Sequence, residues 1–297
     1  MQKITTKLIY PIFISHLGCP FRCIFCNQYK ITNTEAVAKA EFNRAKHTAD
    51  SSLEEDGHET NAVQIDWDTT LSQIKGFIQK HTNKNKEIAF FGGSFTCLER
   101  EQMSELFQKL SPYLDDKTYF RISTRPDAIS EEILGFLKVN RVNTIELGIQ
   151  SFSDAELIAS KRGYDGKTAI EACQLIKTYD FNLSVQLLIG LPKADMNTYT
   201  ESMQRLIEIK PEYVRLYPLL VLKDTELATM YKQGDYTPLS VEEAVEICSY
   251  FLNECKKNNI KVIKIGLHAD ISKDSLVAGP YHANLGELVT KAITSES

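Results

Sequence analysis

The sequence predicts an α/β fold, a partial (β/α)6 TIM-like barrel with a C-terminal helical extension as a cap. Short β-like runs alternate with helical stretches along most of the 297 residues, the pattern of a parallel sheet covered by crossover helices. The composition, 43% hydrophobic and 25% charged, is that of a globular chain long enough to bury a full core. Six strands with their crossovers fit a partial barrel better than a closed one of eight.

The strand candidates are Leu8–Ser15, Glu87–Phe91, Tyr119–Ser123, Thr144–Gly148, Leu183–Ile189 and Tyr213–Tyr217. The five from Glu87 onward each follow a plausible helix. Leu71–His81 carries Leu71, Ile74, Phe77 and Ile78 at helical spacing, and Arg100–Leu110 carries Met103, Leu106, Phe107 and Leu110. Ser130 opens the next helix, where Glu131 and Glu132 suit the positive end of its dipole. Helices over Thr168–Thr178, Asn197–Glu208 and Ser240–Asn258 follow, and Lys261–Leu267 offers one more strand. The tail from His268 holds a turn-rich Ala278-Gly-Pro-Tyr-His282 and a short helix over Leu285–Ala292, and reads as a cover over the core. Residues 1–238 form the expected core and 239–297 the extension. Within the core, Thr32–Ala62 is polar and long for a loop, which predicts a mobile surface insertion, with a substrate lid as the second reading.

Three cysteines in eight residues, Cys19, Cys23 and Cys26, follow the first strand directly. Thiolates suit zinc and iron–sulfur clusters. Structural zinc takes four protein ligands, and electron-transfer clusters take four cysteines. Three thiolates without an obvious fourth imply a cluster with one metal corner open. A zinc site completed by His16, and reduced cysteines without metal, are the other readings. A disulfide framework is disfavoured, because the seven cysteines are an odd number and no secretory signal precedes them. The spacing Cys-x3-Cys-x2-Cys, with Phe25 before the last cysteine, resembles the signature of the radical S-adenosylmethionine (SAM) enzymes. That resemblance implies a [4Fe–4S] cluster held by Cys19, Cys23 and Cys26, with SAM on the remaining iron.

Loops at the carboxyl ends of parallel strands build the sites of barrel-like folds, so the later strand ends should face the cysteines. The second strand ends in Phe91, Gly92, Gly93 and Ser94. Paired glycines there let a ligand approach bare backbone. Where the radical SAM pattern has an acidic residue after the glycines this chain has Ser94, so the SAM amino group must rely on carbonyls at Phe91–Gly93. At the third strand end, Ser123 or Thr124 is expected to line the SAM pocket, with Pro126 stopping the strand and Asp127 capping the next helix. Glu146 lies in an apolar strand and needs a cation or hydroxyl partner, either in a structural ion pair or at a ligand. Gln150 is placed to bond ribose or carboxylate oxygens. Arg162 offers a planar fork for the SAM carboxylate, or is a structural cation. Gly190 would let backbone clasp the adenine, and Arg215 and Tyr217 are candidate substrate contacts. Cys173, Cys248 and Cys255 read as core, while Cys97 is a core or substrate-side thiol.

Taken in order, Phe-Gly-Gly-Ser-Phe-Thr, Ser-Thr-Arg-Pro-Asp, Ile-Glu-Leu-Gly-Ile-Gln-Ser and Leu-Tyr-Pro-Leu-Leu-Val resemble the radical SAM domain of the Elongator catalytic-subunit family, over roughly Pro11 to Pro238. More distantly the chain is similar to oxygen-independent coproporphyrinogen oxidases. The resemblance implies an enzyme that cleaves SAM reductively to a 5′-deoxyadenosyl radical, with electrons from an external flavodoxin- or ferredoxin-type donor. The chain has no room for the acetyltransferase domain of the Elongator subunits, so their tRNA substrate is one candidate among several. A non-catalytic zinc-stabilised binding module is the alternative from a different class. The net charge of −5 gives no global footprint for nucleic acid, and Lys80–Lys86 and Lys256–Lys264 read as solvated faces. The N-terminus looks like neither a signal peptide nor a membrane span, so no membrane association and a cytoplasmic, reducing location are expected.

Overall fold

A computed structural model describes residues 8–14, 19, 22–26, 65–266 and 273–295. The expected insertion over Thr32–Ala62, and His16, lie outside the described residues. Among the described residues, strands and crossover helices follow one another along most of the chain. Strand β1 (Leu8–Phe13) is followed by α1 (Trp67–Lys80), β2 (Lys86–Phe91), α2 (Arg100–Leu110), β3 (Thr118–Thr124), α3 (Glu131–Val139) and β4 (Val142–Gln150). Then come α4 (Asp154–Ala159), α5 (Gly166–Thr178), β5 (Asn182–Ile189), α6 (Met196–Ile209) and β6 (Tyr213–Pro218). A small antiparallel pair, β7 (Val221–Leu222) and β9 (Leu276–Ala278), flanks α7 (Glu226–Gln233), α8 (Val241–Lys257) and β8 (Lys261–Ile265), and α9 (Leu285–Ser295) ends the described chain.

The main sheet is parallel, in the order β1-β2-β3-β4-β5-β6-β8. The optional strand over Lys261–Leu267 is therefore real: β8 extends the six expected strands to seven, and the C-terminal stretch adds to the barrel as well as to its outer layer. The register fixes two faces. Ile88, Phe90, Phe120, Ile122, Ile145, Leu147, Leu183, Val185, Val214 and Leu216 are buried in the main apolar core with the inward stripes of the helices. The alternate positions, among them Phe13, Ser123, Glu146, Gln186, Arg215 and Tyr217, line a cavity on the other face. Residues from β1, at one sheet edge, and from β6 and β8, at the other, share that cavity, so the sheet is curled into a half-barrel.

Local signals behave as their chemistry requires. Ser130 accepts from the Ile133 amide at the start of α3, and Asp195 and Ser240 close capping boxes on α6 and α8. Met103, Leu106, Phe107 and Leu110 form the buried stripe of α2. One charged expectation is corrected. Lys86 is not on a solvated face: its ammonium is fully buried, 2.7 Å from Asp115, and also donates to two carbonyls. Among the described residues no helix is long and apolar enough to cross a membrane.

Candidate active site

The cavity at the carboxyl ends of the strands encloses about 500 Å³ and is lined by all three cysteines. Cys23 to Cys26 form a tight turn in which the Cys26 amide donates to the Cys23 carbonyl at 3.1 Å. Ile24 inside that turn is buried in a second apolar cluster with Leu191, Leu219, Val221, Leu227 and Tyr236. Its backbone is tied on both sides, donating to the Ser160 carbonyl and accepting from the Leu227 amide at 2.8 Å. The turn thus faces its sulfurs to the cavity because its apolar residue is pinned behind it. Burial and the neighbouring Cys23 and Cys19 sulfurs push the Cys26 thiol up to about 12. Among the described residues no three His, Cys, Asp or Glu side chains converge on a single-ion site.

The glycine segment meets the cavity as expected, with Phe91, Gly92, Gly93 and Ser94 all on its wall. Gly92 has φ +91°, and a Cβ there would stand 2.9 Å from the Ile14 carbonyl oxygen, so no other residue fits without strain. Ser94 turns toward sulfur: its hydroxyl lies 4.0 Å from Cys19 Sγ. Ser123 and Thr124 both line the cavity but differ. Thr124 shares its hydroxyl with Thr96, whereas the buried Ser123 Oγ has no hydrogen-bond partner among the described residues. A buried orphan hydroxyl on a cavity wall fits a polar ligand there.

Glu146 lines the cavity and has cation partners. Its Oε2 accepts from Arg121 Nη2 at 2.8 Å and lies 2.9 Å from Arg215 Nε, while Arg121 also reaches Glu87. The ion-pair reading of Glu146 therefore holds in this structure. Gln150, with φ +72°, is on the wall beside Gln186. Arg215 and Tyr217 point inward as expected, bonded to each other at 3.1 Å.

Arg162 reaches the cavity, but its fork is engaged by the protein. Nη1 donates to Cys23 Sγ at 3.0 Å, Nη2 to the Gly148 carbonyl at 2.7 Å and Nε to Tyr164 Oη at 3.0 Å. Two expectations are corrected. Gly190 is not among the residues lining the cavity: its amide and carbonyl are taken by the Tyr199 and Tyr236 hydroxyls, and its Cα packs against Leu239. Leu188, Pro218, Leu219 and Leu220 supply the apolar wall in its place. Asp127 does not cap α3, which is the task of Ser130. It instead holds Arg125 bidentately at 2.8 and 2.9 Å. Sequence reading missed Arg125 because its partners, Asp127, Cys19 and the Arg162 carbonyl, come together only in the fold.

The donor set fits an iron–sulfur cluster in its chemistry. Three thiols share one cavity with an arginine donor at two of them, and bare glycine backbone and an orphan hydroxyl lie on the adjoining wall. A family model described as the Radical SAM superfamily matches residues 13–206, and one described as the Radical_SAM C-terminal domain matches residues 211–295. The chain belongs to the radical SAM superfamily. It is a radical SAM enzyme, and the superfamily's cofactors are SAM and a [4Fe–4S] cluster. A tRNA uridine(34) acetyltransferase of Methanocaldococcus jannaschii is 37% identical over 175 residues, 57% of this chain and 31% of that protein. The chain spans about a third of the length of the curated relatives it matches first. The solved structure of the archaeal Methanocaldococcus infernus Elp3 superposes with a TM-score of 0.70 at 22% identity, over 98% of this chain and 64% of that one. Coproporphyrinogen III oxidase (HemN) from Escherichia coli, described as a radical SAM enzyme, gives 0.56 at 16% identity, over 85% and 53%. The expected likeness to the Elongator catalytic subunits, with a more distant one to the coproporphyrinogen oxidases, is found in both.

Proposed function

We propose that this radical SAM enzyme holds a [4Fe–4S] cluster through Cys19, Cys23 and Cys26 and binds SAM in the adjoining cavity. The observation that carries the reading is the shared wall: three sulfurs, the Phe91–Ser94 backbone and the unpartnered Ser123 hydroxyl face one 500 Å³ space. The cofactors supply reductive cleavage of SAM to a 5′-deoxyadenosyl radical that takes hydrogen from a substrate, chemistry no side chain offers. The protein's share is positioning and exclusion of water. Carbonyls of the glycine segment would accept from the SAM amino group, the Ser123 hydroxyl would bond a polar atom of SAM, and Phe25, Leu219 and Leu220 would supply an apolar wall beside it. Gln150, on the same wall, would bond ribose or carboxylate oxygens. Residues 1–238 act as the core, with 239–297 lending β8 to the sheet and α8 and α9 to its cover. Electrons come from an external flavodoxin- or ferredoxin-type donor in a reducing cytoplasm.

The substrate reading favoured second is tRNA, in concert with a partner that supplies any acyl transfer. It is supported by the likeness to the tRNA uridine(34) acetyltransferase and by the exposed cation Lys264 on the cavity wall. RNA binding that weakens steeply with salt supports it, and no RNA binding at low salt overturns it.

Anaerobic reconstitution tests the main reading. The chain should turn brown with about four irons, the count that defines the cluster, and should release 5′-deoxyadenosine from SAM under reduction. Cys23→Ala should lose both while keeping its far-ultraviolet circular dichroism. A colourless protein holding one zinc, or full cleavage by Cys23→Ala, overturns it.

A further inference from the structure

Two arginines reach two of the three cavity sulfurs. Arg162 Nη1 is 3.0 Å from Cys23 Sγ, and Arg125 Nη1 is 3.9 Å from Cys19 Sγ. The pair is built as one unit. Arg125 Nη2 donates to the Arg162 carbonyl at 2.6 Å, and both guanidinium carbons lie over the Tyr164 ring, at 5.3 and 5.1 Å. Asp127 fixes the Arg125 fork bidentately, and the Arg125 side chain is only 3% exposed.

Asp127 is the carboxylate that bonds Arg125 among the described residues, and Tyr164 is neutral, since burial pushes its phenol up to about 12. A buried cation is costly unless anions face it. The anions that the geometry brings to it are the sulfurs of Cys19 and Cys23. Among the described residues the arginine N–H···S contacts fall on Cys19 and Cys23 and not on Cys26.

We propose that Arg125, clamped by Asp127, is a positioning residue that raises the reduction potential of the cluster from the Cys19 side. The proposal rests on the cluster reading above. One-electron reduction adds a negative charge to the cluster, which a nearby fixed cation and N–H···S contacts stabilise. Arg125 therefore makes the cluster easier to reduce by a physiological donor, and it does so through Cys19 without touching SAM.

The test is an anaerobic, dithionite-driven potentiometric titration of the reconstituted full chain, followed by electron paramagnetic resonance. Arg125→Gln should move the midpoint to a more negative potential at unchanged iron content, and Arg125→Lys should move it less. Asp127→Asn, which removes the opposing anion, should move it to a more positive potential, and it decides the matter if Arg125→Gln fails to fold or to hold iron. A midpoint unmoved in Arg125→Gln at full iron content, or unmoved in Asp127→Asn where that variant decides, overturns the proposal and leaves the cluster reading standing. An unsubstituted chain that takes up no cluster overturns the reading beneath it, and this proposal with it.

Discussion

Arg121 and Glu146 meet at 2.8 Å on adjacent strands inside the half-barrel, both almost wholly excluded from water. The guanidinium also reaches Glu87 at 3.3 Å, so one cation serves two buried carboxylates across β2, β3 and β4. Glu146 is shared in turn with Arg215 on β6, at 2.9 Å. The network sits at the floor of the cavity and crosslinks the strands whose ends carry the site.

Removing the central cation should be severe. Arg121→Met keeps the bulk but strips Glu87 and Glu146 of their common partner, a change that typically costs about 3–5 kcal/mol. The double change Arg121→Met and Glu87→Gln should cost less than the single one, because Glu146 keeps Arg215 as its partner and the Glu87 charge is gone. Urea midpoints of the three proteins check this. A single variant within about 1 kcal/mol of the unsubstituted chain would show that solvent or local rearrangement satisfies the carboxylates.

Much of this architecture is legible in the sequence because alternation in a strand is a strict two-residue code. Ile145-Glu-Leu-Gly-Ile places Ile145, Leu147 and Ile149 under the helices and Glu146 and Gly148 in the cavity. The demand that Glu146 find a cation was readable too, but not which one, since Arg121 and Arg215 are set by sheet order. Short elements left no period to read: α4 spans six residues, and β7 and β9 fewer. A different limit hid Arg125 and misplaced Lys86 and Gly190. Each owes its role to partners distant in sequence or to a packing neighbour that composition does not reveal.

Gly92 is predicted to tolerate no side chain. Its φ of +91° and the 2.9 Å approach of a Cβ to the Ile14 carbonyl mean that Gly92→Ala must shift backbone at the junction of β1 and β2. Such a strained backbone costs on the order of 1–3 kcal/mol, and it displaces the carbonyls proposed to hold SAM. Thermal melting should fall, and SAM affinity by isothermal titration should fall more than stability alone explains. Unchanged affinity in a folded Gly92→Ala protein would remove this backbone from the SAM site.

Ile24 should govern how well the cysteine turn is held. Its side chain is buried among Leu191, Leu219, Leu227 and Tyr236 while its neighbours Cys23 and Cys26 face the cavity. Truncation to alanine in such a site costs about 2–5 kcal/mol, and Ile24→Val about 0.5–1.5 kcal/mol. Because the anchored unit is a short turn, the loss should appear locally. Amide exchange of Leu227, which donates to the Ile24 carbonyl, should quicken in Ile24→Ala, and iron retained after anaerobic desalting should drop, with Ile24→Val close to the unsubstituted chain. Equal iron retention in all three proteins would show that the turn is held by its sulfurs alone.

Glu156 on α4 gives the fold a dependence on pH. Burial pushes its carboxyl up from an ordinary 4.5 to about 7, against hydrogen bonds from Thr198 and Ser151 that favour the ion, and Asp195 and Glu201 add like charge. The folded chain thus holds this proton more tightly than the unfolded chain does. The contribution is complete below pH 4.5 and is lost as pH rises through about 7, after which a buried carboxylate must be carried. A carboxyl moved between those values is worth roughly 3 kcal/mol. Glu156→Gln cannot ionise, so its stability relative to the unsubstituted chain should rise between about pH 5 and pH 7.5 and level off above. Urea denaturation across that range reads the difference directly. Parallel pH profiles for the two proteins would show that the carboxylate is already solvated in the native state.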